Sequence, residues 1–143
     1  MTARHSGAEV HFCESFEREW ATPTVAGLTG LLCEDVELRQ PHLPAIRGKA
    51  AAIREFEKLL GWMPAIKGTV HRSISTPGEA AIEWVLIFPI GARGVAIPMT
   101  DLFTLEDGRV KTRTVYFDQI PLITAVLMRP WLWPGFMRYR FRG

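Results

Sequence analysis

The sequence is short of several things, and each shortage removes a class of function. Its only cysteines, Cys13 and Cys33, form no CxxC pair and have no histidine at zinc-ligand spacing. They are expected as reduced, buried, small apolar residues of a cytoplasmic protein. No apolar run comes near the roughly 20 residues that a membrane-spanning helix needs. The N-terminal "MTARHSGAEV" has neither the apolar stretch nor the cleavage site of a signal peptide. Charge of one sign is also lacking: 17 Lys and Arg stand against 15 Asp and Glu. So small an excess does not drive phosphate-backbone binding, and no nucleic-acid partner is expected. There is no glycine-rich phosphate loop, no cluster of metal ligands and no lysine in an obviously apolar setting, so neither a cofactor nor a metal is expected.

What is present is a globular composition, 48% hydrophobic and 22% charged over 143 residues, enough for one core. Val10, Cys13, Phe16 and Trp20 recur at helical spacing, with Glu14, Glu17, Arg18 and Glu19 mostly on the other side. This helix should end near "WATPT". Thr24 can then cap a short second helix with Val25, Leu28, Leu31 and Leu32 along one side. "EDVEL" reads as a strand, followed by an irregular loop. "GKAAAIREFEKLLGW" reads as a third helix with Ile53, Phe56 and Leu60 on its apolar stripe, stopping at Gly61. Four strands follow, "GTVHRSIS", "AAIEWVLIF", "GVAIPMTDLFTL" and "RVKTRTVYF", separated by turn-forming "TPGE", "PIGAR" and "EDG". Helices first and a sheet afterwards make an α+β fold.

Two features of these strands bear on function. In the second, Ile82, Trp84, Leu86 and Phe88 share one face, and Val85 and Ile87 join Glu83 on the other, so the outer face is expected to meet another subunit. In the third, Asp101 falls in step with Met99, Phe103 and Leu105, which should point inward. Two readings of Asp101 stay open. It is either a buried carboxylate paired with a cation on the next strand, or a desolvated carboxyl whose raised pKa lets it donate a hydrogen bond. If "EDG" is a three-residue loop, Arg113 lies opposite Asp101; if Asp107 and Gly108 form a two-residue turn, Thr114 does.

The order of these elements, with "RGKAAAIREFEKLL" and the closing "DLFTLEDGRVKTRTVYFD", resembles the ketosteroid isomerase and SnoaL-like members of the nuclear transport factor 2-like superfamily over residues 8 to 122. The resemblance implies a curved antiparallel β-sheet wrapped around N-terminal helices, forming a cone with an apolar pocket, usually in a homodimer. It implies a hydrophobic small-molecule partner, a steroid or polyketide-like carbonyl compound, and isomerisation or cyclisation through an enol or enolate. Asp101 falls at the position of the family's neutral acid donor. Phe16 replaces the donor tyrosine, and Gln40, in "RQP", replaces the catalytic aspartate; a glutamine cannot shuttle a proton. His42 is therefore carried with Asp101 as a catalytic candidate, and His71 as a further imidazole. The pocket wall is expected from Phe16, Trp20, Leu38, Gln40, Trp62, Trp84, Leu86, Phe103, Val115 and Phe117. The Asp, Arg, Asp triad of limonene epoxide hydrolases would fall on Leu86, Trp84 and Val115, which excludes that mechanism.

Residues 1–122 are expected as the cone domain and 123–143 as a C-terminal extension. The extension interleaves Trp131, Trp133, Phe136, Tyr139 and Phe141 with Arg129, Arg138, Arg140 and Arg142. Its favoured reading is closure of the pocket mouth or cover for the partner subunit. Membrane contact is disfavoured because Pro130 and Pro134 break any long amphipathic helix. Two functions follow: an enzyme with Asp101 as pocket acid, or a non-catalytic module that holds an apolar ligand.

Overall fold

The computed structural model describes residues 2–40 and 43–141, with the side chains of 2–6 and 141 left aside. Helix α1 (Thr2–Ala21) buries Phe12, Cys13, Phe16 and Trp20. Val10, expected on this face, is 45% exposed. The inward place belongs to Glu9, which completes the i, i+3, i+4, i+7 set with Phe12, Cys13 and Phe16. The Glu9 carboxylate accepts a hydrogen bond from the Gly78 backbone N–H at 3.1 Å, tying α1 to the turn after the third strand.

Helix α2 (Val25–Thr29) begins where Thr24 Oγ1 accepts the Gly27 N–H at 3.0 Å, the cap expected of it. The apolar side does not continue to Leu32, which opens strand β1 (Leu32–Arg39). After the two-residue β2 (Ile46–Arg47), helix α3 (Lys49–Trp62) buries Ala52, Phe56 and Leu59, while Ile53 and Leu60 are only half-buried on its flanks. It runs one residue beyond Gly61.

Strands β3 (Lys67–Thr76), β4 (Glu79–Phe88), β5 (Val95–Glu106) and β6 (Arg109–Phe117) form the meander. The six strands lie in the order β2-β1-β6-β5-β4-β3, antiparallel except for the parallel pairing of β1 with β6. The sheet curves without closing, and α1 lies against β3 and β4 on its inner face. One close approach fixes that face: a Cβ on Gly68 of β3 would stand 2.5 Å from the Trp84 ring, so only glycine admits the indole this close to the neighbouring strand.

The β5–β6 turn is the two-residue kind, with Asp107 at φ 53° and Gly108 at φ 76°. Yet neither residue expected opposite Asp101 is there. The register shifts after Leu105↔Val110 and resumes at Thr104↔Thr112, leaving Lys111 as an extra residue in a bulge. Everything beyond moves by one, and Val115 faces Asp101. The same bulge puts Val110 and Arg113, three apart, on the inner face together.

The chain finishes with α4 (Ile120–Leu127), a 3-10 turn (Pro130–Leu132) and α5 (Trp133–Phe141). Among the described residues no helix is long and apolar enough to cross a membrane. Both cysteines are free; Cys13 is buried, but Cys33, expected inside, is half-buried on β1 with its thiol near the Glu106 carbonyl.

Candidate functional site

The inner face of the sheet and α1 converge on one buried ion pair. Asp101, on β5, is fully buried. Arg113, on β6, donates from Nε to Asp101 Oδ2 at 2.7 Å, with Nη2 at 2.6 Å from the same oxygen. The other carboxylate oxygen, Oδ1, accepts from Trp84 Nε1 at 2.9 Å. Burial pushes the Asp101 carboxyl above the ordinary aspartate value, while the Arg113 charge and the donated hydrogen bonds pull the other way. Each group recorded against the carboxylate is a donor, the arrangement that suits the ionised form. Of the two sequence readings of Asp101, the geometry has the paired one.

Arg113 is itself enclosed by rings. Its guanidinium carbon lies 5.9 Å from the ring centroids of Phe16 and Trp84, and 6.0 Å from those of Trp20 and Phe103. The rings support one another: Phe16 meets Trp84 edge-on at 5.0 Å, and Trp20 meets Trp84 at 4.9 Å. A cation held by four aromatic faces and a carboxylate is well compensated for its burial. Nε and one N–H of Nη2 are directed at Asp101, which leaves Nη1 and the second Nη2 N–H outside the pair.

Beside this pair is a cavity of about 70 Å³, room for a few waters. Of the residues expected in the pocket wall, Trp20, Gln40, Trp84, Leu86, Val115 and Phe117 line it. Phe16 and Phe103 lie deeper, around the ring cage and a much smaller void that Trp20 and Arg113 also reach. Leu38 is core, and Trp62 stands outside the cavity, stacked on Tyr139 with ring centroids 5.1 Å apart. Asp101 does not itself line the cavity; its bonded partners Arg113 and Trp84 do. His42 lies outside the described residues, and His71 is exposed on β3.

Three polar members of the wall were missed in the sequence: Arg113, expected only as a possible partner of Asp101, Glu55 and Tyr139. Glu55 lines the cavity because α3 turns Ala52, Glu55, Phe56 and Leu59 inward, a set spaced i, i+3, i+4, i+7. Tyr139 comes from α5, and burial, reinforced by the Glu55 charge, raises its phenol pKa. Glu55 and Tyr139 also line an open groove of about 730 Å³ between α3 and the segment 43–47. They therefore stand as the partition between the small cavity and the large groove. Among the described residues no group of side chains could hold a metal ion. Leu86, Trp84 and Val115, the positions where the resemblance would put an epoxide hydrolase triad, all line the cavity as apolar walls.

Comparison with known proteins gives the same fold. The model of the SnoaL-like domain matches residues 13–112. No curated protein matches the sequence. Among solved structures, an LEH-like epoxide hydrolase from M. tuberculosis is similar at 18% identity and a TM-score of 0.70, covering 85% of this chain and 91% of that one. A protein classed as a SnoaL-like polyketide cyclase from Jannaschia sp. CCS1 is 19% identical with a TM-score of 0.68, covering 83% and 93%. An NTF2-like protein of unknown function from Burkholderia pseudomallei K96243 is 13% identical with a TM-score of 0.72, covering 83% and 97%.

Proposed function

The chain belongs to the SnoaL-like domain family, and on that premise we propose that it binds a hydrophobic small molecule carrying a carbonyl oxygen, of steroid or polyketide type, inside the cone. The observation that carries this reading is Arg113, a guanidinium caged by four rings, fixed by Asp101, and adjoining a cavity whose wall is otherwise mostly apolar. A mostly apolar site with a few polar groups, Arg113 foremost among them, suits a mostly apolar ligand with an oxygen to fix. In this reading Asp101 serves by holding Arg113, and Nη1 with the Gln40 amide meets the ligand.

At about 70 Å³ the cavity is far below the ~300–1,000 Å³ typical of ligand sites, so the ligand enters only when Tyr139 swings aside and joins cavity to groove. A second reading rests on Glu55 lining the same cavity as Arg113. A carboxylate base beside a carbonyl-binding guanidinium can take a proton from the carbon next to that carbonyl and return it elsewhere, which is enolisation. The homodimer is proposed through the outer face of the sheet, where Ile74, Ala81, Leu102 and Thr114 form a row across four strands.

Native mass spectrometry of the purified protein, with a panel of polycyclic ketones, tests the binding. The wild type should retain a ketone, and Asp101→Leu/Arg113→Met, which removes the anchor without stranding a charge, should lose it. Tyr139→Ala should speed ligand entry. Equal retention by the wild type and the double variant would remove Arg113 as the anchor. Hydrogen exchange into the bound ketone, lost in Glu55→Gln, would establish the second reading.

A further inference from the structure

The C-terminal extension closes the cone with one side only. Phe136 and Tyr139 pack inward on Trp62, with ring centroids 5.7 and 5.1 Å away. On α4, Leu122, Ala125 and Val126 are buried, and Ile120, Ile123, Leu127 and Met128 are left on the opposite face at spacings of three, four and one. Trp131, in the turn that follows, is 74% exposed, and Met128 is 73% exposed. Trp133 and Met137 continue the outward side along α5. This surface is held in shape: Trp133 Nε1 donates to the Val126 carbonyl at 2.9 Å, and Arg129 Nη1 donates to the Ala125 carbonyl at 3.1 Å.

Its charge is one-sided as well. From residue 119 to the C-terminus the sequence has four arginines and no acidic residue. Arg138 is exposed on α5 beside Met137 and shares a groove with Glu57 of α3, as Arg140 does with Glu55 and Glu57. We infer that the outward face of α4, the 3-10 turn and α5 is a peripheral membrane-binding surface that rests on an anionic lipid bilayer. Apolar and tryptophan side chains enter the interface, and arginines meet the headgroups. Pro130 and Pro134, which rule out one long amphipathic helix, instead fold two short helices into a single exposed platform. A second copy suits the face less well, because two-fold pairing would set the four arginines of one segment against those of another, with Asp118 at the head of α4 the one adjoining carboxylate. The inference does not depend on the proposed ligand.

The test is co-sedimentation of the full chain with phosphatidylcholine vesicles, with and without phosphatidylglycerol, read alongside the tryptophan emission maximum. The protein should bind the phosphatidylglycerol vesicles with a blue shift, weaken as salt is added, and bind phosphatidylcholine alone much less. Met128→Ser/Trp131→Ser should bind at least about tenfold more weakly, and Arg138→Gln about fivefold more weakly. All three positions are exposed, so these variants should keep the wild-type circular dichroism. Absence of binding to phosphatidylglycerol vesicles at low salt would overturn the inference, as would binding that the double serine variant leaves unchanged. A lipid-free dimer that the double serine variant dissolves would overturn it in favour of a second copy.

Discussion

Arg113 and Asp101 are bonded diagonally across the β5–β6 hairpin: the guanidinium reaches the carboxylate from two residues along, past Val115, which is the residue directly opposite. The pair is therefore a product of the bulge at Lys111 as much as of the two side chains. Without the extra residue the two-residue turn would set Thr114 opposite Asp101 and turn Arg113 to the outer face.

Because the pair is buried, breaking it from one side should cost more than removing it. Asp101→Leu leaves an arginine uncompensated and the Trp84 N–H without its acceptor, and should lower the unfolding free energy by about 3–5 kcal/mol. Asp101→Leu/Arg113→Met should recover most of that loss in urea denaturation. A double variant as unstable as the single would show that the two side chains are not coupled.

Gly68 should tolerate nothing larger. Trp84 is pinned by its hydrogen bond to Asp101 and cannot withdraw from a new methyl group 2.5 Å away. Gly68→Ala should destabilise by about 1–3 kcal/mol through overpacking, read as a lower melting temperature with near-ultraviolet tryptophan signals altered. A change within the usual scatter of surface substitutions would mean the indole has more room than the geometry gives it.

Alkaline pH should loosen α5. Folding raises the Tyr139 pKa above its ordinary 10.0, so the folded chain holds the phenol proton more tightly than the unfolded one. The stabilisation from this group is complete below pH 10 and falls as pH rises above it. Stability against pH should decline more steeply there in the wild type than in Tyr139→Phe, which keeps the stack on Trp62 and has no proton to lose. Coincident curves for the two proteins would place the phenol in solvent.

The proposed dimer can be tested at Leu102, 46% exposed in the middle of the outer row. Leu102→Glu should convert the dimer into a folded monomer in analytical ultracentrifugation. A dimer that survives the substitution would point to another face.

Most of the fold was legible because strand period and turn chemistry are local. Alternation in "AAIEWVLIF" gave the inner face of β4, and Asp101 was inward by the same count. Its partner's exact register was not legible, since nothing in "GRVKTRT" marks Lys111 as the extra residue. Both long helices were misread in the same way. Each turns a glutamate inward, Glu9 and Glu55, to complete a regular set of four, and a stripe chosen from apolar residues alone rotates away from it. The small size of the cavity was also invisible, because aromatic residues that wall a pocket and those that fill it read alike. Only the docking of Tyr139, far along the chain from α3, decides which they do.

The parallel pairing of β1 with β6 has a consequence for the order of assembly. Leu32 bonds into the sheet beside Val110, and residues 37–39 lie beside 112–114, so this side of the cone is made from segments separated by about half the chain. On the ribosome β1 emerges long before its neighbour β6 exists, and its backbone donors and acceptors stay unpaired on that side while β2, α3 and three more strands are synthesised. Contacts this distant in sequence form late and slowly. The nascent chain is thus most exposed to misassociation along β1, and that exposure ends when the β5–β6 hairpin has left the exit tunnel.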